Sequence, residues 1–214
     1  MGIEQLQVTL VDHMGNDDSI ASAARVSFGK NATHYTKEQN SKLLSYLAKH
    51  KHTSPFGHVF LSFHIKAPIF VRAQLVKHKF IRTNEISRRY VDTDIEFYQP
   101  NVWRGRSEDK KQGSSGDMDW DHTPYSYDTS LANYKFLLDT GVAPEMARMF
   151  LPQSLMTEWY WSGSLDAFTD MCRLRIKEDT QYESKVIAKA VYQHLKEVFP
   201  VAAPLLVDGF VDIN

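Results

Sequence analysis

The densest run of chemically capable side chains in this 214-residue chain is Lys77-His78-Lys79-Phe80-Ile81-Arg82-Thr83-Asn84-Glu85-Ile86-Ser87-Arg88-Arg89-Tyr90. Five lysines and arginines stand in it against one acid, Glu85. Cations of this density, placed where a helix gives way to irregular chain, can offer side-chain charge and free backbone N–H groups to phosphate oxygens. An arginine brings a bidentate fork and a lysine a point charge. A solvated basic loop is the plain alternative. Against it, Asn84, Glu85, Ser87 and Tyr90 interleave hydrogen-bonding groups with the cations, which solubility alone does not require. The chemistry these residues suggest is the binding of a small phosphorylated ligand.

Other reactive side chains read as structural. No base falls at a spacing that would activate Ser87, so it reads as a hydrogen-bond donor to phosphate. Cys172 is the single cysteine, which excludes an internal disulfide framework and a multi-cysteine zinc cluster. It shares an apolar stripe with Phe168 and Ile176, the place of a small core residue. His50, His52, His58 and His64 lack a carboxylate at ligand spacing, so packed histidines are the better reading than a metal-dependent hydrolase. Trp159-Tyr160-Trp161 reads as core or interface.

Lysine and arginine total 25 against 26 aspartate and glutamate, a net charge of −1. That balance speaks against a general polyanion binder and against a nucleic-acid-binding module built on residues 77–89, which would lack a second basic patch. A composition of 43% hydrophobic and 24% charged residues suits a single soluble domain with a buried core. Residues 1–10 lack the basic head and apolar run of a signal peptide, and no apolar stretch nears the roughly 18 residues of a membrane span. The expectation is a cytoplasmic protein with no membrane partner.

The elements that must position these residues can be read in part. Gln5 to Asp12 alternates as a first strand, with Leu6, Val8 and Leu10 on one face. Thr36 to His50 is an amphipathic helix; Thr36 and Gln39 have capping-box spacing, and Leu43, Leu44, Leu47 and Ala48 form its stripe. Ser54-Pro55-Phe56-Gly57 breaks it. His58 to Ile65 alternates strictly, Val59, Leu61, Phe63 and Ile65 to one side. Pro68 suits the start of a helix over Ile69 to about His78, with Phe70, Gln74, Lys77 and His78 on one face. A polar segment and a short strand near Ile95 to Tyr98 follow. Residues 101–124 read as a long surface loop within the domain. Leu131, Tyr134 and Leu138 mark a helix ended by Gly141, Pro144 opens another, and Pro152 stops that one. Ser164 can cap a helix whose buried face is Leu165, Phe168, Cys172 and Ile176. A last helix runs through Val186, Ala190, Val191, Leu195 and Val198 to Pro200. Helices and strands without strict βαβ alternation indicate a mixed α/β (α+β) architecture.

With these elements in place, the motif at Lys77-His78-Lys79 through Asn84-Glu85-Ile86-Ser87-Arg88-Arg89-Tyr90 resembles the signature of flavin-dependent thymidylate synthases, commonly RHR followed by an NExSxRY-like segment. Ala24-Arg25-Val26-Ser27-Phe28 resembles the family's N-terminal helix motif, and His52-Thr53-Ser54-Pro55-Phe56-Gly57-His58 its H-x-[ST]-P-F-x-H segment. Ala147-Arg148 with Leu151-Pro152, and Leu174-Arg175, fall at the family's intervals. Five ordered segments cover most of the chain.

The resemblance implies a central sheet flanked by helices and a homotetramer with active sites where subunits meet. It implies FAD as cofactor, NADPH as reductant, and methylenetetrahydrofolate as the donor that turns dUMP into dTMP. On matching positions, the dUMP ligands would be Gln74, Lys77, Glu85, Ser87, Arg88, Arg89, Arg148 and Arg175. The FAD contacts would be Ser54, Lys77, His78, Lys79, Asn84, Glu85, Ser164, Asp170 and Arg175. His52 would lie on the folate side. Arg175 is the expected catalytic residue, stabilising negative charge on uracil as a hydride reaches the ring, a role worth about 3 kcal/mol for a preorganised donor. The chain departs from the pattern in its Lys-His-Lys triplet, in Ser164, Asp166 and Asp170, and in Gly57, which stands where a glutamate is common. These departures leave open a related outcome, a flavin- and folate-dependent hydroxymethylase making 5-hydroxymethyl-dUMP.

Overall fold

The computed structural model describes residues 5–109, 113–119 and 127–209. Its frame is a four-stranded antiparallel sheet in the order β1-β2-β4-β3, formed by β1 (Gln7–Met14), β2 (Phe60–Pro68), β3 (Ile81–Glu85) and β4 (Met156–Ser164). The strict alternation around β2 becomes two faces: Val59, Leu61, Phe63 and Ile65 are buried, while Phe60, Ser62 and His64 lie on the other side. Opposite them on β4, Trp159 faces Ile65 and Trp161 faces Phe63, both tryptophans buried. On the outer face His64 pairs with Tyr160, and the Ser62 and Ser162 hydroxyls meet at 2.8 Å.

Helices cover the inner face. α1 (Asp17–Arg25) and α2 (Lys37–Lys49) come first. The capping box of α2 forms as its spacing predicts, Thr36 Oγ1 accepting from Gln39 N at 3.3 Å and Gln39 Oε1 from Thr36 N at 2.9 Å. Leu44, Leu47 and Ala48 then sit in the core, with Leu43 packed against it. After β4 come α6 (Leu165–Arg175), α7 (Tyr182–Val198) and α8 (Ala202–Val207). The Phe168 ring on α6 meets Phe63 at 5.0 Å and Trp161 at 5.3 Å, both edge-on, which fixes the roll of α6 and so the direction of Arg175 at its end.

Three further α-helices belong to the fold: α3 (Ile69–Leu75), α4 (Asp128–Asp139) and α5 (Pro144–Ala147). α3 follows Pro68 as expected but ends at Leu75, three residues before His78, and it buries Val71 and Leu75. Its expected Gln74–Lys77–His78 face is therefore not continuous helix.

Several expectations are corrected. The segment after α3 is irregular only in part: between a turn at 76–80 and the loop from 86, Ile81–Glu85 is edge strand β3. The expected core placement of Trp159-Tyr160-Trp161 holds for the two tryptophans, buried on β4, while Tyr160 is exposed on the strand's other face. Ile95 to Tyr98 forms only an isolated bridge, Phe97 to Leu155, because Pro100 and the chain's turn into the 101–109 segment leave no run to pair. Ser164 occupies the N-cap position of α6 without a capping bond; its hydroxyl goes to the Asp166 carboxylate. The buried face of α7 is Glu183, Ser184, Ile187, Ala188, Val191, Tyr192 and Leu195, so Val186 and Ala190 flank it. α8 follows Pro200, and Asp17 caps it from across the fold, accepting from Val201 N at 2.9 Å and Ala202 N at 3.0 Å. Within the expected 101–124 loop, residues 101–109 and 113–119 hold no helix or strand, only a bridge between Arg104 and Asp117; the rest lies outside the described residues.

Candidate active site

Two clefts carry the candidate chemistry, one at each end of β3. The larger, about 960 Å³, lies under the turn that joins α3 to β3 and against α6. Lys77, His78, Lys79 and Phe80 line it from the turn, and Asp166, Asp170, Arg173 and Arg175 from α6. Gly163 has no side chain to keep this turn away: a Cβ there would stand 3.2 Å from both Phe80 O and Ile81 Cγ1. Phe80 itself takes a left-handed φ of 65° and leaves its ring 85% exposed, a conformation that costs free energy for a bulky residue.

Arg175 is held from two sides in this cleft. Its Nε–H donates to His78 Nε2 at 3.0 Å and Nη2 donates to the Gln74 carbonyl at 3.2 Å. Burial, and then the positive charge of Arg175, hold the His78 pKa down to about 4, so at neutral pH the imidazole is uncharged and can accept. Burial also lowers the Arg175 pKa. Of a guanidinium's five N–H donors, those on Nε and one on Nη2 are engaged by described residues; the rest can meet a ligand in the cleft.

The smaller cleft, about 550 Å³, opens at the other end of β3 and gathers Arg72, Glu85, Ser87, Arg88, Arg89, Arg148 and Thr157. Glu85 is fixed by Arg72 Nη2 at 2.8 Å and by the Thr157 hydroxyl, which donates at 2.8 Å. Arg88 spends its guanidinium on the chain that follows, donating to the carbonyls of Thr93 at 2.7 Å, Val91 at 3.3 Å and Asp94 at 3.4 Å. It clamps the loop, and its Nε is buried without a partner among the described residues. Arg89 is exposed beside Ser87 Oγ, 3.5 Å from its Nε, and Arg148 is anchored through Nε to the Glu145 carbonyl at 3.2 Å.

The expected site residues are thus divided. Lys77, His78, Lys79, Asp170 and Arg175 come together in the larger cleft; Glu85, Ser87, Arg88, Arg89 and Arg148 come together in the smaller. β3 separates them by about 13 Å at a strand's rise of roughly 3.3 Å per residue. Gln74 lines neither cleft; its carboxamide is bonded to Gln181 and Ser184. Ser54 is exposed on the turn whose Thr53 and Phe56 line the larger cleft. His52 is exposed beside the rings of Tyr46 and His50, Asn84 is exposed on β3, and Ser164 is half-buried at Asp166. Sequence reasoning missed Arg72 and Thr157, the two residues that hold Glu85, and also Lys51, Arg173 and Lys177 in the larger cleft. The one signal for Arg72 was a cation inside a mostly apolar helical run; Thr157 gave none.

In the larger cleft Lys51, Lys77, Lys79, Arg173, Arg175 and Lys177 outnumber Asp166 and Asp170, which suits a large anionic ligand, and the arginine-lined cleft suits a phosphate monoester. Among the described residues no group of three His, Cys, Asp or Glu could hold a metal ion. Such a pairing defines a class, that of proteins which bring a phosphorylated nucleotide to a second, larger cofactor.

Comparison with known proteins makes the class specific. A family model described as thymidylate synthase complementing protein matches residues 9–201. A flavin-dependent thymidylate synthase of Thermus thermophilus is 40% identical over 200 residues, covering 91% of this chain and 73% of its own length. One from Kosmotoga olearia is 39% identical over 206 residues, covering 93% and 89%. The crystal structure of a UMP/dUMP methylase, PolB from Streptomyces cacaoi with bound 5-Br dUMP, superposes with a TM-score of 0.84 at 29% identity over 92% of this chain and 93% of that one. The chain belongs to the family of flavin-dependent thymidylate synthases.

Proposed function

We propose that this protein converts dUMP to dTMP, with FAD as its flavin, NADPH as reductant and methylenetetrahydrofolate as the one-carbon donor. The relatives are named thymidylate synthases and the structural neighbour a UMP/dUMP methylase, which favours a methyl product over 5-hydroxymethyl-dUMP.

The observation that carries the reading within this chain is Arg175, held between a neutral imidazole and a backbone carbonyl with further N–H donors available. A guanidinium so fixed pays no reorganisation when negative charge develops on a uracil carbonyl, and its charge is felt strongly in a partly buried site. Lys77, His78 and Lys79 would hold the flavin, which when bound supplies a hydride. Arg89 and Arg148 grip phosphate oxygens, Ser87 donates to them, and Glu85 is an acceptor for a ribose hydroxyl. His52 stands on the folate side.

A single chain divides the nucleotide ligands between two clefts, so the complete site needs a second copy, in which the arginine cleft of one subunit faces the Arg175 cleft of another. A second copy is the least this requires; a homotetramer of one-domain subunits is what the family resemblance implies. No helix among the described residues is long and apolar enough to cross a membrane, and cytoplasmic location is part of this proposal.

The test is direct. Purified protein should be yellow, and with dUMP, methylenetetrahydrofolate and NADPH mass spectrometry should find dTMP. A colourless protein unaffected by FAD, or a product carrying a hydroxymethyl group, refutes the assignment.

A further inference from the structure

The first turn of α7 closes on one side chain of α3. Ser184, fully buried, donates its hydroxyl to Gln74 Oε1 at 3.1 Å. Gln74 Nε2 donates to Gln181 Oε1, and Gln181 Nε2 donates to Glu183 Oε2 at 3.2 Å. Glu183 is 3% exposed, and its other oxygen takes Arg104 and the Tyr98 hydroxyl.

Carboxamides and hydroxyls can each donate or accept, so a chain of them can run in either direction. Glu183 removes that freedom. Its carboxylate, paired with Arg104, accepts only, and Gln181 must turn its NH2 toward it and its oxygen toward Gln74. Gln74 must then give its NH2 to Gln181 and its oxygen to Ser184, which has to be the donor. We propose that Ser184, Gln181 and Glu183 are positioning residues that fix the orientation of the Gln74 carboxamide, and with it where that group offers an N–H and where a lone pair to the nucleotide.

The inference rests on the reading of Gln74 as a nucleotide ligand, which the family resemblance implies although the side chain lines neither cleft of a single chain. One N–H and one lone pair of its carboxamide remain for that ligand after the two bonds above. The same residue's carbonyl receives Arg175, so loosening the end of α3 also reaches the guanidinium. The Arg104 segment docks on this turn too, with its guanidinium 4.4 Å from the Tyr182 ring centroid.

The experiment uses the full-length flavoprotein and its S184A, S184T, Q181M and E183Q variants. Calorimetric titration gives the dUMP dissociation constant, and steady-state turnover separates KM from kcat. S184A is expected to weaken dUMP about tenfold, the equivalent of one lost hydrogen bond to an oriented group, while flavin content holds and S184T restores binding. E183Q lets the chain run either way and weakens dUMP as well. Q181M gives the same reading should S184A fail to fold. Wild-type dUMP affinity in S184A and Q181M overturns the inference, as does an equal loss of flavin and dUMP without rescue by S184T. A wild-type protein that binds no dUMP refutes the proposed function instead, and this inference with it.

Discussion

Nε2 of His78 can accept the Nε–H of Arg175 only while the imidazole is uncharged. The folded protein holds His78 at about 4, against 6.5 for a free histidine, because burial and the adjacent guanidinium both disfavour the cation. The unfolded chain therefore takes up this proton first as the pH falls. The stability His78 contributes is complete above pH 6.5 and is lost progressively between 6.5 and 4. Denaturant unfolding across that window should show a steeper decline in the wild type than in His78→Gln, which keeps an acceptor and does not titrate. Turnover of the folded enzyme should show an acid limb near pH 4, where His78 protonates in the folded state, and the variant should flatten it; coincident pH profiles would disprove the link.

A site shared between copies can be completed by mixing. Arg148 lies in the smaller cleft and Arg175 in the larger. Arg148→Ala and Arg175→Ala should each be nearly inactive alone. After subunits are exchanged, mixed assemblies contain some sites in which one copy supplies an intact arginine cleft and another an intact Arg175. Recovered dTMP formation is the expected result, and a mixture as inactive as its parents would place both arginines in one chain's site.

The contrast between what the residues announced and what they hid has a physical basis. α2 was legible because its cap is a local bond pattern and its stripe has helical period; β2 was legible because one of its faces is fully buried. β3 escaped because Ile81-Arg82-Thr83-Asn84-Glu85 is an edge strand with no wholly buried side chain, so its alternation is between half-buried and exposed. β4 did alternate, Thr157, Trp159, Trp161 and Gly163 inward, but three adjacent aromatics drew the eye as a cluster. Missing β3 had the larger consequence. Read as irregular chain, Lys77 to Arg89 is one compact basic patch; drawn out as a strand, it serves two clefts. Arg72 and Thr157 were out of reach because their importance comes from a contact with Glu85 across 13 and 72 positions of sequence.

Cys172 lies fully buried with its Sγ toward the Ala188 carbonyl at 3.5 Å, and burial raises its thiol pKa well above the ordinary range. A protonated, inaccessible thiol cannot attack uracil. Cys172→Ala should retain turnover within about twofold while losing roughly 1 kcal/mol of stability or somewhat more for the small cavity. In the native protein the thiol should resist iodoacetamide and react once the chain is unfolded. Loss of activity in a folded Cys172→Ala would reopen a cysteine mechanism.

The Thr36–Gln39 box initiates the helix that brings Leu47 and Ala48 to the wall of the larger cleft. Thr36→Ala removes the side chain that accepts from Gln39 N and should cost about 1 kcal/mol in denaturant unfolding. Flavin binding should weaken little, since both wall residues are anchored in the core. A stability change indistinguishable from zero would mean that tertiary packing alone sets the start of α2.

Arg72 and Glu85 make the most specific demand on the nucleotide cleft. Their side chains are 28% and 27% exposed, so the pair stands between a surface bridge and a buried one, and breaking it should cost about 1–2 kcal/mol. The larger effect is expected on binding. With Arg72 replaced by methionine, Glu85 keeps only the Thr157 hydroxyl and is free to turn toward Arg89 or Arg148 in the same cleft. An internal carboxylate would then compete with phosphate for those guanidinium groups. Arg72→Met should raise the KM for dUMP about tenfold or more with a smaller change in kcat, the scale of a lost charge-assisted hydrogen bond. The double variant Arg72→Met/Glu85→Gln should recover much of that loss, because the competing charge is gone. If instead the double variant binds dUMP more weakly than the single one, Glu85 contacts the nucleotide directly and Arg72 serves only to hold it there.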